Sequence, residues 1–159
     1  MRKKILIPLL ALSLFGVGGM IYQYANEADE VYKQKNNTTD KKFDTDEQAV
    51  KKLYEDSLKY SNEKDIDNYL ACIVPRGRKN TKKELTKAFK EYDIKSTLQS
   101  FEILKHEGDH ILAETKQEQE NLGKKEYKKH IATLNVAFIK NDGVWQIELT
   151  TVIKTNFVD

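Results

Sequence analysis

The sequence predicts an α+β fold: three amino-terminal helices packed on a curved four-stranded antiparallel sheet, with a separate hydrophobic helix ahead of them. Three patterns carry that prediction. Across residues 44–92 apolar side chains recur every three or four positions, and from residue 95 onward they alternate in twos. Residues 5–22, ILIPLLALSLFGVGGMIY, form an apolar run without a charge.

That run follows Arg2, Lys3 and Lys4 and has roughly the minimum length for crossing a hydrocarbon core as a helix. Basic residues ahead of it place the amino terminus in the cytoplasm and everything after it outside. Small residues before a cut are poorly placed: Gly16-Val17-Gly18 lies inside the run, and Gln23 spoils Gln23-Tyr24-Ala25. Residues 1–22 are therefore expected to be a retained signal anchor, which makes a single-pass cell-membrane protein with its carboxyl-terminal domain outside. Cleavage as a signal peptide, followed by secretion, is the alternative, and Pro8 with the glycines of the run suits it equally. No Cys stands near the end of the run, so lipoprotein processing is excluded. Tyr22 and Tyr24 fit the membrane interface.

Residues 23–43 are polar and charged, with too little apolar surface to bury, and read as a flexible tether. The glycosylation-type triplets within Asn36-Asn37-Thr38-Thr39 read as solvated linker residues. Residues 44–159 then form one domain. Asp44 or Thr45 can cap a first helix carrying Ala49, Val50, Leu53, Tyr54, Ser57 and Leu58 on one stripe. After Ser61-Asn62, the spacing of Ile66, Tyr69, Leu70 and Ile73 predicts a short second helix that includes Cys72 and that Pro75 ends. A loop with Arg76, Gly77 and Arg78 leads to Thr81-Lys82-Lys83-Glu84, a capping box, and to a third helix with Leu85, Ala88, Phe89 and Tyr92.

Residues 95–105 and 110–119 are strand-like and meet at Glu107-Gly108-Asp109, a hairpin turn. Phe101 and Ile103 share one parity while Leu98 and Leu104 share the other, so a bulge or burial on both faces is expected. The stretch 130–153 forms the second hairpin, turning at Lys140-Asn141-Asp142-Gly143. Its inward set is predicted to be Ala132, Leu134, Val136, Phe138, Trp145, Ile147, Leu149 and Ile153, with His130 at the rim. The acids of residues 114–120 fall on parities that look solvated.

Charge bears on partners. The chain has 27 Lys and Arg against 25 Asp and Glu, and setting aside Arg2, Lys3 and Lys4 leaves 24 against 25. That balance excludes nucleic acid as the main partner. Cys72 is alone, so no disulfide forms within the chain. The lysine-rich residues 79–90 and 124–129 face the choice between anionic surfaces and plain solvation, and interspersed acids favour solvation.

The helix opened by Lys64-Asp65-Ile66-Asp67-Asn68-Tyr69-Leu70 and the hairpin Asn141-Asp142-Gly143-Val144-Trp145-Gln146-Ile147 resemble the nuclear transport factor 2-like, or cystatin-like, cone-shaped domains. The resemblance covers residues 44–159 in pattern. It implies the cone fold, shared by ketosteroid isomerases, dehydratases, small-molecule binders and membrane-anchored extracytoplasmic scaffolds of secretion and conjugation machines. Its enzymes place an acid, or an acid and a His, inside the cone, and no such pair matches here residue by residue.

No catalytic residue, metal site or cofactor is therefore predicted. His106 and His110 flank a turn, with Asp109 as the sole nearby third ligand, and read as exposed turn histidines. Tyr54, Tyr69, Phe89, His130 and Trp145 are the residues from which a ligand pocket would be built, although such aromatics more often fill a core. The expected function is that of a non-enzymatic, membrane-tethered extracytoplasmic domain that binds a protein partner or supports an envelope, secretion or conjugation complex. A small-ligand binder or enzyme using the pocket near His130 is the alternative.

Overall fold

The computed structural model describes residues 43–158, so the predicted hydrophobic helix and nearly all of the tether lie outside the described residues. Among the described residues no helix is long and apolar enough to cross a membrane. Helix α1 (Thr45–Asn62) starts from a reciprocal capping box: Asp44 accepts the Glu47 amide at 2.8 Å, and Glu47 accepts the Asp44 amide at 3.1 Å. Its stripe of Val50, Tyr54, Ser57, Leu58 and Ser61 is buried. Helix α2 (Ile66–Ala71) is capped by Asp65, which accepts the Asn68 amide.

Helix α2 is shorter than its apolar spacing predicts. Cys72 closes it, and Ile73 leaves the helix to form a parallel bridge with Ile147. The Ile147 amide donates to the Cys72 carbonyl at 2.8 Å and the Val74 amide to the Ile147 carbonyl at 3.0 Å. The unsatisfied edge of the last strand thus captures backbone that local spacing would have kept helical. Helix α3 (Pro75–Glu91) corrects a second expectation. Pro75 begins it rather than ending α2, because its missing amide proton is no loss in a first turn. Thr81 is buried inside α3 instead of capping it, and the predicted loop with Arg76, Gly77 and Arg78 is the first turn of the helix.

Strands β1 (Ile94–Glu107), β2 (His110–Asn121), β3 (His130–Asn141) and β4 (Val144–Phe157) pair antiparallel in the order β1-β2-β3-β4. Gly108 has φ +55°, and Asp142 and Gly143 have φ +50° and +78°, the positive values that tight hairpin turns require. The register of β1 on β2 shifts at Leu98/Ser100 and at Ile103/Lys105. The first shift brings Leu98 onto the parity of Phe101, so both pack on the main core, while Leu104 joins a smaller cluster with Leu112, Ala137 and Leu149.

Two further shifts, between Ala137 and Phe138 and between Thr133 and Leu134, interrupt the pairing of β3 with β4. Each inserts an extra β4 residue and reverses the parity beyond it. Leu149 consequently leaves the predicted inward set, Ile153 is 47% exposed, and Val152 takes an inward place opposite Leu134. The main core joins Ile111, Leu134, Val136, Phe138, Trp145 and Ile147 of the sheet to Val50, Tyr54, Tyr69, Leu70 and Leu85 of the helices. All three helices thus contribute to one core, and no helical residue belongs to the smaller cluster.

Candidate functional site

The five predicted pocket residues are buried or half-buried but do not meet at one place. Tyr54 and Tyr69 are buried in the middle of the core, and Phe89 of α3 is half-buried against it. His130 opens β3, opposite Phe157, whereas Trp145 pairs with Lys140 at the other end of that strand. Ten residue steps separate those ends, about 33 Å at ordinary strand rise.

His130 is not at a rim. It has no exposed surface, and its ring lies 5.5 Å from that of Tyr127 and 5.9 Å from that of Phe157, between centroids. Its Nδ1 lies 3.0 Å from the Lys128 carbonyl oxygen, an acceptor, so Nδ1 carries the proton and donates. Nε2 is buried and without a hydrogen-bond partner among the described residues. Among the described residues no carboxylate is in hydrogen-bond or ion-pair contact with the ring, so the acid–histidine pair that the resemblance associates with catalysis is not assembled there by them.

Period-two alternation along β2 places Ile111, Ala113, Thr115, Gln117 and Gln119 on the core side, all buried. Thr115 Oγ1 donates to Tyr54 Oη at 3.0 Å, and Tyr54 Oη donates to Gln117 Oε1 at 2.9 Å. Farther along, Tyr127 Oη donates to Gln119 Oε1 at 3.0 Å, and Gln119 Nε2 to Ser96 Oγ at 3.3 Å. Burial pushes the Tyr54 phenol up to about 12 and raises those of Tyr69 and Tyr127 as well, so all three stay neutral donors. Burial likewise pushes the Cys72 thiol up to about 11, too high for a thiolate nucleophile. The sequence reading passed over Gln117 and Gln119, yet their parity with Ile111 and Ala113 was the signal that places them inside.

Glu114 also departs from expectation. It is buried rather than solvated, its Oε2 has no hydrogen-bond partner, and burial raises its carboxyl above the usual range. At the other end of the sheet, Asp46 Oδ1 accepts both Trp145 Nε1 at 2.9 Å and Lys140 Nζ at 3.0 Å. The Trp145 ring therefore docks on the first turn of α1, as strand parity predicts. His106 adds an edge contact to that ring and sets Nδ1 3.2 Å from Asp44 and 3.8 Å from Glu47. Among the described residues this trio alone gathers three metal-type ligand atoms, and it does not include His110. One oxygen of each acid serves the cap of α1.

Comparison with solved structures gives the class first. The chain is similar to a protein of unknown function with a cystatin-like fold from Nostoc punctiforme, at 14% identity and TM-score 0.60, over 69% of this chain and 91% of that one. A candidate aromatic ring hydroxylase from Novosphingobium aromaticivorans gives 14% identity and TM-score 0.61, over 71% of this chain and 93% of that one. Bd1075 of Bdellovibrio bacteriovorus gives 18% and 0.53, over 70% of this chain and 40% of that one. These likenesses establish a cystatin-like α+β fold. No curated protein matches the sequence. A family model does: residues 52–158 match the C-terminal domain of the anti-sigma-I factor RsgI9, and the chain belongs to that family.

Proposed function

We propose that this chain is a non-enzymatic regulatory module, tethered to the cell membrane through residues 5–22, whose folded domain lies outside the cytoplasm and binds a protein partner. The observation that carries the reading is the family match, which spans residues 52–158 and so covers most of α1, the other helices and the whole sheet. The matched family is part of an anti-sigma factor, a class of protein that works by contact with other proteins. The inside of the fold supports the same reading. Its sheet is packed by Leu134, Val136, Phe138 and Ile147 against three helices, and among the described residues no carboxylate pairs with the internal His130.

Support for an envelope, secretion or conjugation complex comes from the tether alone, and secretion after cleavage is the alternative for location. The function is tested by purifying the tagged full chain from solubilised membranes of the source organism. A protein that stays bound in constant proportion through gel filtration is expected. Recovery of the chain with no protein at all, under conditions that keep other membrane complexes intact, contradicts the proposal.

One observation favours a second reading, a small-ligand binder. The ring of His130 packs on half-buried Tyr127, its strand position is paired with that of buried Gln119, and its buried Nε2 has no hydrogen-bond partner among the described residues, which calls for an occupant. Native mass spectrometry of the chain distinguishes the readings: a bound small molecule that disappears in His130→Ala supports the second, and an unchanged protein mass in both supports the first.

A further inference from the structure

We infer that the outward face of α3 is a docking surface for an anionic lipid bilayer, an inference that rests on the tethered arrangement proposed above. Helix α3 carries seven basic side chains against two acids, in a chain that is otherwise nearly balanced. Gly77, Thr81 and Leu85 form its buried stripe. Lys79, Lys83, Lys87 and Lys90 follow at steps of four, four and three, which places them on one helix face, and all four are exposed.

None of these four lysines makes an ion pair among the described residues. Elsewhere Lys51, Lys52, Lys64, Lys125, Lys129 and Lys140 each have a carboxylate partner, while others such as Lys59, Lys95 and Lys116 make no ion pair among the described residues, so what sets the α3 lysines apart is their alignment on one helix face. Around the stripe Arg76 pairs with Glu148, Lys82 with Asp67, and Glu91 with Lys125, while Lys87 acts on Glu91 only at longer range. Glu84 is the remaining acid of α3, and it makes no ion pair with the stripe. Like charges at neighbouring helix positions repel, and an anionic surface opposite them removes that penalty.

The length of chain ahead of the domain identifies the occupant. Residues 23–43 separate the apolar run from α1. A flexible chain of that length has an average end-to-end distance of about 25 Å. A domain of this size has a radius of gyration of about 13 Å, so α3 is within reach of the bilayer that holds the run. At such an effective concentration four lysines suffice for a reversible electrostatic contact. With its apolar stripe buried in the core, α3 lies on headgroups without inserting.

The test uses the full chain reconstituted in vesicles. A fluorophore on Asn80→Cys, in a Cys72→Ser background, reports approach to lipids that carry a headgroup quencher. Quenching is expected on vesicles containing phosphatidylglycerol and not on phosphatidylcholine alone. It should vanish at about 1 M salt, where charges are screened beyond ~3 Å. It should also vanish in K79Q/K83Q/K87Q/K90Q, whose circular dichroism and melting match the parent. Equal quenching on both lipids, or quenching that survives the four substitutions, overturns the inference. Absence of quenching together with lysine-dependent capture by a phosphate-bearing wall polymer overturns it in favour of that polymer. A chain that fails to insert yet floats with phosphatidylglycerol vesicles, in a salt- and lysine-dependent way, supports the docking surface while removing the tether.

Discussion

Trp145 ties the end of the sheet to the start of α1 through one side chain. The residue is 8% exposed, its indole N–H donates to Asp46, and Lys140 Nζ stands 5.5 Å from its ring centroid. Removing such a ring leaves a cavity and takes one of two donors from Asp46 Oδ1, so Trp145→Ala should destabilise the domain by about 3–5 kcal/mol, read by chemical denaturation. Trp145→Phe keeps most of the packing and should cost about 1–2 kcal/mol. Glu114 predicts the opposite sign. Because burial raises its folded pKa above 4.5, the ionised side chain destabilises the fold at neutral pH, and that penalty fades as pH falls through the raised value. Glu114→Gln should therefore melt higher than the parent at pH 7, and its advantage should vanish near and below pH 4.5. A lower melting point at pH 7 would mean that the carboxylate has a partner only it can serve.

Among the elements, α1 depends most visibly on a single cap. Asp44→Ala removes the acceptor of the Glu47 amide and the acid beside His106, and a lost cap of this kind usually costs about 1 kcal/mol. Thermal melting checks it, with Asp44→Asn expected to keep most of the stability because its amide oxygen still caps. The four strands and α1 were legible in the sequence because their signals are local: Asn141-Asp142-Gly143 can adopt positive φ, and Asp44 stands three residues before Glu47. Pro75 was ambiguous, since the same ring that stops one helix can start the next, and long-range pairing of Ile73 with Ile147 decided between them. The bulges on β4 were illegible for a related reason. Period-two reading assumes one residue per partner, so Leu149 and Ile153 were assigned to the wrong side and Val152 was missed.

For the whole molecule, the sequence located the aromatic side chains inside but could not tell that Trp145, opposite Lys140, and His130 lie at opposite ends of the β3–β4 pair. Distance along a strand requires the register, and the register follows from tertiary pairing. What the molecule presents outward is a sheet with a used edge at Ile147, an uncovered continuation with exposed Ile153 and Phe157, and a helix with an unpaired basic face. The central claim, a folded domain held outside the cytoplasm and acting by contact, is tested most directly by its side of the membrane. Protease added to intact protoplasts carrying the full chain with a carboxyl-terminal epitope should remove the epitope while the cytoplasmic markers survive. Full protection of the epitope until the membrane is opened would contradict it.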